Sequence, residues 1–478
     1  MKKRSRKRAA MGKNIEVYES RIHMLAHQQE YTRIIEFIED VERGMSNIFF
    51  LNLFAPKDFG KAALIELLWE CHESTLPVSL VRVADFHRES DQGFALCELL
   101  VKVINDISFR LPRRVISLPP GYENLEEERQ LADMIFQLIS GAKRFKKIVL
   151  LLISDYDLIP EDHRRWFQRE ILNRSALERN VAVILTSEVA LRFENLEIRM
   201  RLENLELLEL DPKIISQVLP KYAELATKIY RITGGLPVLI EDFVEQLETS
   251  QVATSADFQA HSQELVEKYY RAYVEEKVLA SLASTTRKTL LTLSLLRRFD
   301  VKVLRELLPQ LLPDSYQDYG VADYLDLIDR MQSWVQWRRQ GGYMLNPAFR
   351  IMLQGYTLTI KPDLYERVNR VIVSLYQKWL EREYREHYLI ELLYHILVLH
   401  RFNEKCGLFP VQDEMNQATL VEELQEYLPI GDLRRLGEVE LDSLRNSLEQ
   451  DPDLKDRISG EFQPVIENLV NGRVEGAY

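Results

Sequence analysis

The feature that most constrains the fold of this chain is a series of five short apolar runs, rich in β-branched residues, that alternate with helical segments. Several of these runs are apolar at nearly every position, as strands are when a parallel sheet is covered on both faces. Strands of this kind alternating with helices predict an α/β domain with a parallel sheet. The predicted strands are Ile48–Phe54, Val78–Phe86, Ile148–Ile153, Val181–Thr186 and Leu205–Leu210.

The second half of the chain has helical periodicity instead. From Asp211 through Leu247 the pattern is helical, and the polar segment Thr249–Ser255 indicates a linker. Between about residues 277 and 353, three helical segments precede two β-rich segments that flank Gln340-Gly341-Gly342. Glycines between two such segments favour a tight hairpin, and three helices followed by a hairpin are typical of a winged helix. Amphipathic helices follow beyond Pro362.

Composition limits the classes of partner and the location. The chain has 478 residues, 62 Lys and Arg against 74 Asp and Glu, and a net charge of −12, so as a whole it repels nucleic acid and anionic membranes. Any anion site must therefore be local. No apolar run approaches the roughly 20 residues of a membrane helix, so we expect a cytoplasmic protein that does not enter a membrane. Reduced core thiols are expected at the three widely spaced cysteines, Cys71, Cys97 and Cys406.

The amino terminus carries the basic run Lys2–Arg8. Such a run can touch nucleic acid or lipid headgroups, but a short charged terminus is usually a solvated tail. Translation from Met11 would remove the run altogether.

The turn after the first predicted strand has part of a phosphate-binding loop. It reads Ala55-Pro56-Lys57-Asp58-Phe59-Gly60-Lys61-Ala62 and leads into a helical run. A phosphate cradle needs Gly where backbone amides converge, a Lys for the β and γ phosphates, and a Ser or Thr hydroxyl for Mg²⁺. Gly60 and Lys61 fit this pattern, whereas Ala55 replaces the first Gly and Ala62 replaces the hydroxyl. Asp58 adds a carboxylate that would oppose a polyphosphate.

The third predicted strand ends in Ser154-Asp155-Tyr156-Asp157. An apolar strand that ends in acidic residues is how a P-loop enzyme holds Mg²⁺ and orients the attacking water. In one register Ser154 takes the metal position and Asp155 the catalytic one, whereas in the other register Asp155 would hold the metal. A third alternative is that Asp155 and Asp157 only cap the turn after a buried strand.

The order of these segments resembles the STAND class of signal-transducing P-loop ATPases, which includes the AP-ATPases and NACHT proteins, over about residues 30–400. Tyr230–Pro237, with Gly235 and Pro237, closely matches the family's Gly-x-Pro motif, in which the Pro region packs near the adenine. The strand that ends before Glu188 looks like the sensor strand, which in the family normally ends in Arg. Asn346 stands where many relatives place a His that contacts the β-phosphate.

The resemblance implies an ATP or ADP site, with Asp155 as the catalytic residue if the protein is active. It gives the cofactor-binding residues as Phe59, Gly60, Lys61, Ala62, Gly235, Pro237 and Asn346. Loss of the hydroxyl and of the metal carboxylate argues against a firm hold on Mg²⁺. Hydrolysis, nucleotide held without turnover and an empty scaffold all remain open.

The expected domains are a basic tail at 1–28, a P-loop NTPase-like α/β domain at 29–210, a helical lid domain at 211–255, a winged-helix domain at 275–355 and a C-terminal α-helical region at 360–478. The leading functional hypothesis is a switch or scaffold that meets protein partners through the C-terminal helices or forms homo-oligomers; mutual packing of those helices is the alternative. A Mg²⁺-dependent ATPase using Lys61 and Asp155 is the second hypothesis. A DNA-binding winged helix is the third, which the acidic helix at about Val321–Trp334 disfavours.

Overall fold

The protein is described here by a computed structural model that covers residues 27–82, 85, 95–111, 127–338, 342–403 and 408. These residues form two compact units. The first comprises the described residues up to Ala226 together with Gly235–Glu245, and the second comprises Thr227–Gly234 and the described residues from Gln246 onward. The basic run Lys2–Arg8, Phe86, the turn residues Gln340 and Gly341, and Cys406 lie outside the described residues.

The first unit is built on a sheet of five parallel strands, which confirms the predicted α/β class. The strands are β1 Phe50–Phe54, β2 Val78–Val81, β3 Val149–Ile153, β4 Val181–Ser187 and β5 Leu202–Glu206. Their order in the sheet is β2-β3-β4-β1-β5, so β4 lies between β1, which leads into the P-loop-like turn, and β3, which leads into Asp155. Every residue of β2, β3 and β4 is buried, because helices cover both faces.

The helices of the first unit alternate with these strands. They are α1 Gln28–Glu42, α2 Lys61–His72, α3 Ala95–Phe109, α4 Glu128–Arg144, α5 Glu161–Phe167, α6 Leu196–Met200 and α7 Pro212–Val218, with short 3₁₀ turns at Tyr156–Leu158 and Pro220–Leu225. Helix α5 widens into a π-helical turn, Gln168–Leu172, before it ends at Asn173–Ser175. Helix α8 Ala226–Thr233 belongs almost wholly to the second unit, whereas most of α9 Pro237–Thr249 belongs to the first.

Two expectations for this unit are corrected. The fifth strand was predicted at Leu205–Leu210 but lies at Leu202–Glu206. The reason is that β5 is an edge strand whose residues are only partly covered, so it lacks the apolar run of a central strand. The second correction concerns the thiols, since Cys97 is buried as expected but Cys71 is exposed on α2.

The second unit contains the winged helix. The wing pairs β6 Val335–Arg338 with β7 Gly342–Leu345, so Gly342 begins a strand instead of lying in the turn as predicted. Phe299 adds a third, single-residue pairing with Tyr343, which the sequence did not predict. The helices are α10 Ser255–Tyr269 with its π-helical continuation Tyr270–Leu279, α11 Ser284–Ser294, α12 Val301–Leu311, α13 Pro313–Tyr316 and α14 Val321–Arg330. Helix α14 therefore ends four residues before Trp334, the predicted end.

The helices after the wing are α15 Pro347–Ile360, α16 Pro362–Arg382 and α17 Glu386–Asn403. Ring contacts join Tyr365 to Phe402 at one end of the α16 and α17 pair and Trp379 to Tyr388 at the other, so the two helices are antiparallel. Between these ends, His395 Nδ1 lies 2.8 Å from Asn369 Oδ1. Within the described part of the chain, no helix combines the length and apolar character needed to span a bilayer.

Candidate functional site

The P-loop-like turn lies between β1 and α2, at the carboxyl end of the parallel strands. Gly60 precedes the helix with φ +82°, a left-handed conformation that glycine adopts without a steric cost. The first helical bond runs from the Leu64 N–H to the Gly60 carbonyl, 3.0 Å. The preceding amides therefore stand at a helix amino terminus, which is where P-loop proteins bind phosphate.

Lys61 is directed into the loop itself. Its Nζ donates to the Ala55 carbonyl oxygen and, at 2.8 Å, to that of Pro56, and the residue is only 6% exposed. Burial lowers the pKa of Lys61, and the nearby carboxylates of Glu188, Asp155, Asp157 and Asp58 act in the opposite direction. The lysine that the sequence assigns to phosphate is engaged with protein acceptors in this structure.

The loop position that normally supplies a magnesium ligand has no hydroxyl. Ala62 is exposed at the start of α2, and Asp58 stands in the loop with φ +68°. Among the described residues, no group of three or more His, Cys, Asp or Glu side chains is placed to hold a metal ion. Ala62 thus offers no side-chain oxygen at the position where the P-loop Ser or Thr binds Mg²⁺.

Asp155 and Asp157 follow β3 and are tied to the end of β4. The Asp155 N–H donates to Thr186 Oγ1 at 2.7 Å, and Asp157 Oδ2 accepts from the Glu188 N–H at 2.8 Å. Burial raises the pKa of Asp155, and Asp157 raises it further, whereas Lys61 and a hydrogen bond from Ser154 lower it. The Asp157 carboxylate thus binds the segment after β4, whereas the Asp155 side chain makes no capping hydrogen bond to its own turn and interacts with Lys61.

Two contacts at this end of the sheet were missed by the sequence reasoning. His27 is buried and its Nε2 donates to the Phe59 carbonyl at 3.0 Å, which anchors the turn to the start of α1. Across the sheet, Asn52 accepts from Ser187 Oγ at 2.9 Å and donates to Asn204 Oδ1 at 2.9 Å. A polar Asn52 inside an apolar run was the only sequence signal for the second contact.

The Gly-Gly-Leu-Pro segment is divided between the two units. In the first unit, the Leu210 N–H donates to the Gly235 carbonyl at 2.9 Å, and the buried Pro237 begins α9. In the second unit, Gly234 has φ +68°, and a Cβ added there would lie 2.0 Å from the Ala348 carbonyl oxygen. Glycine at 234 is required because the backbone of α15 approaches it so closely.

Asn346 lies in the second unit and caps α15. Its Oδ1 accepts from the Ala348 N–H at 3.1 Å, and the residue is buried. The structure thus places Phe59, Gly60, Lys61, Ala62 and Asp155 around one turn. Gly235 and Pro237 belong to the same unit as that turn, whereas Asn346 does not.

Comparison with known proteins gives only distant structural likenesses. No protein-family model and no curated protein matches the sequence. A Walker-type ATPase of Pyrococcus abyssi is similar over 67% of this chain and 95% of its own, with 13% identity and a TM-score of 0.48. Cdc6p from Pyrobaculum aerophilum is similar over 71% of this chain and 94% of its own, with 14% identity and a TM-score of 0.35. The Aeropyrum pernix ORC1 protein in complex with DNA is similar over 69% of this chain and 92% of its own, with 16% identity and a TM-score of 0.33.

The first unit has the geometry of a P-loop domain. A left-handed Gly60 precedes Lys61 at the start of a helix, and an acidic strand end lies two strands away from β1. The chain therefore has an α/β P-loop domain followed by helical and winged-helix regions.

Proposed function

We propose that this chain is a STAND-like signalling switch or scaffold whose P-loop core does not turn over ATP. The observation that carries this proposal is the position of Lys61. Its ammonium is bonded to the carbonyls of Ala55 and Pro56 inside its own loop. A phosphate-binding lysine must instead extend to the β and γ phosphates.

Electrostatics support the same proposal. Four carboxylates, those of Glu188, Asp155, Asp157 and Asp58, act on the single ammonium of Lys61. A triphosphate would add several negative charges to a partly buried and already acidic environment, where charge repulsion is weakly screened. Active P-loop enzymes offset that repulsion with Mg²⁺, and Ala62 cannot supply the usual hydroxyl ligand.

A nucleotide site without catalysis remains compatible with this turn. The amides at the start of α2 and the left-handed Gly60 still provide the positive end of a helix. ATP or ADP would be held by these amides with little help from Lys61, and Gly235 and Pro237 would contact the base. The other form of the same proposal is a core that binds no nucleotide and keeps only the P-loop fold.

Assembly with other proteins would use the second unit. Every residue of α17 from Tyr388 to His400 is buried, so this helix is a core element more than a docking surface. The outward face of α16 is exposed and charged, with Arg367, Arg370 and Lys378 among its residues. We therefore assign the partner surface of the described C-terminal helices to α16, whether the partner is another protein or a second copy.

A second candidate function is a Mg²⁺-dependent ATPase that uses Lys61 and Asp155. The observation in its favour is that Asp155 follows β3 and interacts electrostatically with Lys61, the arrangement expected of a carboxylate that orients water. This candidate requires turnover that Lys61→Ala and Asp155→Asn both abolish.

The winged helix gives less support to a DNA-binding function. Helix α14 exposes Asp326 and Asp329 beside Arg330, and Asp323 accepts from the Gly320 N–H at 2.7 Å. All three carboxylates are exposed and would meet DNA phosphates with the wrong sign. DNA binding would regain support if the chain shifted the electrophoretic mobility of duplex DNA at low salt and charge reversal in α14 altered that shift.

The test of the proposal is calorimetric titration of the full chain with ATP and ADP, with and without Mg²⁺, beside a phosphate-release assay and a Lys61→Ala control. We expect no turnover and no Mg²⁺ dependence of any binding. Mg²⁺-dependent phosphate release that Lys61→Ala removes would establish the ATPase instead. Binding without turnover would identify a nucleotide-holding switch, and no heat with either nucleotide would identify an empty scaffold.

A further inference from the structure

The end of the parallel sheet opposite the P-loop-like turn exposes a row of large apolar side chains. Because the strands are parallel, the segments that precede them all lie at this end. Four neighbouring strands, in the order β3-β4-β1-β5, each follow a segment with one strongly exposed apolar residue. These residues are Phe145 at 45% exposed, Leu177 at 71%, Met45 at 67% and Met200 at 69%.

Hydrogen bonds hold these segments side by side. The Val149 N–H donates to the Asn180 carbonyl at 2.8 Å, and the Phe49 N–H donates to the Arg201 carbonyl at 3.0 Å. Arg201 Nη1 also donates to the carbonyl of Ala176, the neighbour of Leu177, at 2.5 Å. With strands about 4.8 Å apart, the row is on the order of 15 Å long. We call residues 42–48, 143–148, 174–180 and 197–201 the basal face.

The basal face is basic in a chain that is acidic overall. Its segments contain nine Lys or Arg residues and three Glu, whereas the whole chain has a net charge of −12. Arg43, Arg174 and Arg201 form ion pairs with Glu39, Asp133 and Glu197. The other six form no ion pair with a described residue: Lys143, Arg144, Lys146, Lys147, Arg179 and Arg199.

The turn that carries Phe145 places cations where glycine is usual. Lys146 has φ +54°, and the Lys147 N–H donates to the Ala142 carbonyl at 3.1 Å to close the end of α4. The left-handed residue of such a helix end is most often Gly, because a side chain there is strained. The sequence has Lys-Arg-Phe-Lys-Lys at this turn, so the exposed ring is flanked by four cations.

We propose that the basal face binds the headgroup surface of a lipid bilayer that contains anionic lipids. Cations attract the anionic headgroups, and single protruding apolar side chains insert among them. The apolar residues stand on separate turns with cations between them, which suits a soft interface. The negative end of the α4 helix dipole favours cations, and this would account for Lys143 and Arg144. It does not account for the exposed apolar side chains, nor for the cations Lys147, Arg179 and Arg199. Nucleic acid would use the cations and leave the apolar residues without a role.

The experiment is co-sedimentation of the full chain with sucrose-loaded vesicles of phosphatidylcholine alone or with about 30 mol % phosphatidylserine. Lys146→Glu/Lys147→Glu removes cations, and Leu177→Ser/Met200→Ser removes apolar side chains. The matched controls are Lys288→Glu/Lys361→Glu and Val321→Ser/Leu325→Ser, which change exposed residues of the second unit in the same way. Circular dichroism verifies that every variant is folded.

Binding is expected only to the anionic vesicles. Since each cation near such a surface strengthens binding about fivefold, the charge variant should lose roughly 30-fold or more of its partition coefficient. The apolar variant should lose roughly tenfold, because partial insertion of two large side chains is removed. Both control variants should bind like the unaltered chain.

Several outcomes would overturn the proposal. One is no binding to anionic vesicles by the unaltered chain. Another is that the apolar variant binds vesicles as well as the unaltered chain does, and that the unaltered chain binds fluorescent duplex DNA equally tightly. The basal face would then be a general polyanion site. A third is binding that a chain beginning at Met11 loses and the charge variant retains, because the run Lys2–Arg8 would then be responsible. Retained binding by the chain beginning at Met11 supports the basal face.

Discussion

The Nζ atom of Lys61 lies 2.8 Å from the carbonyl oxygen of Pro56, within the turn that contains both residues. The Ala55 carbonyl accepts from the same ammonium. Lys61 therefore closes its own loop, and the nearby Asp155 and Glu188 carboxylates add to its electrostatic environment. We therefore expect Lys61 to stabilise its loop even without a bound phosphate, and this expectation can be measured.

Lys61→Met should destabilise the protein even without nucleotide. The substitution keeps the length of the side chain but leaves two loop carbonyls without their donor and the carboxylates without their cation. Removal of one partner from a buried polar group costs about 1–3 kcal/mol, and relief of the buried charge offsets part of that cost. We expect a loss of roughly 2 kcal/mol in the free energy of unfolding, measured by urea denaturation of the first unit's transition in the full chain.

Lys57→Met is the matched control, because Lys57 is exposed in the same loop. It should change stability by less than about 0.5 kcal/mol. If Lys61→Met were as stable as the unaltered protein and lost only nucleotide affinity, Lys61 would be a phosphate ligand and the structural role would be wrong.

Asp155→Asn should stabilise the protein at neutral pH. Burial raises the pKa of the Asp155 carboxyl, so its ionised form is disfavoured in the folded state. Asparagine carries no charge and tolerates the left-handed φ of +51° at this position. We expect an increase in Tm of roughly 2 °C at pH 7, followed by differential scanning fluorimetry.

The pH dependence of this effect has a defined sign. The pKa of Asp155 in the folded state is above its ordinary value of 3.8, so as the pH falls through that raised pKa the folded state binds the proton first. The unaltered protein therefore gains stability relative to the variant on acidification, and the difference in Tm should close. A difference that widens at lower pH would mean that ionised Asp155 stabilises the fold.

Local patterns predicted much of the first unit. The run at β3 is apolar throughout and those at β1 and β4 are mostly apolar, so burial on both faces could be inferred from the sequence. The position of Gly60-Lys61 between a strand and a helix could be inferred in the same way. The edge strand β5 was misplaced because only one of its sides is paired, so partly exposed residues such as Glu203 are tolerated there.

Contacts between distant residues could not be predicted. The His27 ring reaches the Phe59 carbonyl across 32 residues, and Phe299 pairs with Tyr343 beside the wing; neither position has a periodicity that indicates its partner. The inward direction of the Lys61 side chain was also missed. Motif spacing fixes the position of the lysine in the loop, but the choice between a phosphate and the loop carbonyls depends on the surrounding charges.

Ala62→Ser/Glu188→Gln should create Mg²⁺-dependent nucleotide binding. Serine restores the hydroxyl that coordinates Mg²⁺ in P-loop proteins, and glutamine removes one of the carboxylates that act on Lys61. We expect the affinity for ATP to rise roughly tenfold in the presence of Mg²⁺, measured by calorimetry. Ala63→Ser/Glu188→Gln is the control, because its hydroxyl lies one residue further along α2. An equal gain in both variants would show that charge alone limits binding.

Gly234→Ala should be far more destabilising than Gly44→Ala, although both glycines have φ +68°. A Cβ at Gly44 would meet nothing within 4 Å, so that variant measures the cost of the left-handed backbone alone, about 1 kcal/mol. A Cβ at Gly234 would lie 2.0 Å from the Ala348 carbonyl oxygen, which forces the segment away from α15. We expect a total loss of about 3 kcal/mol, measured by urea denaturation. Equal losses in the two variants would mean that the close approach of the Ala348 carbonyl does not make glycine necessary at position 234.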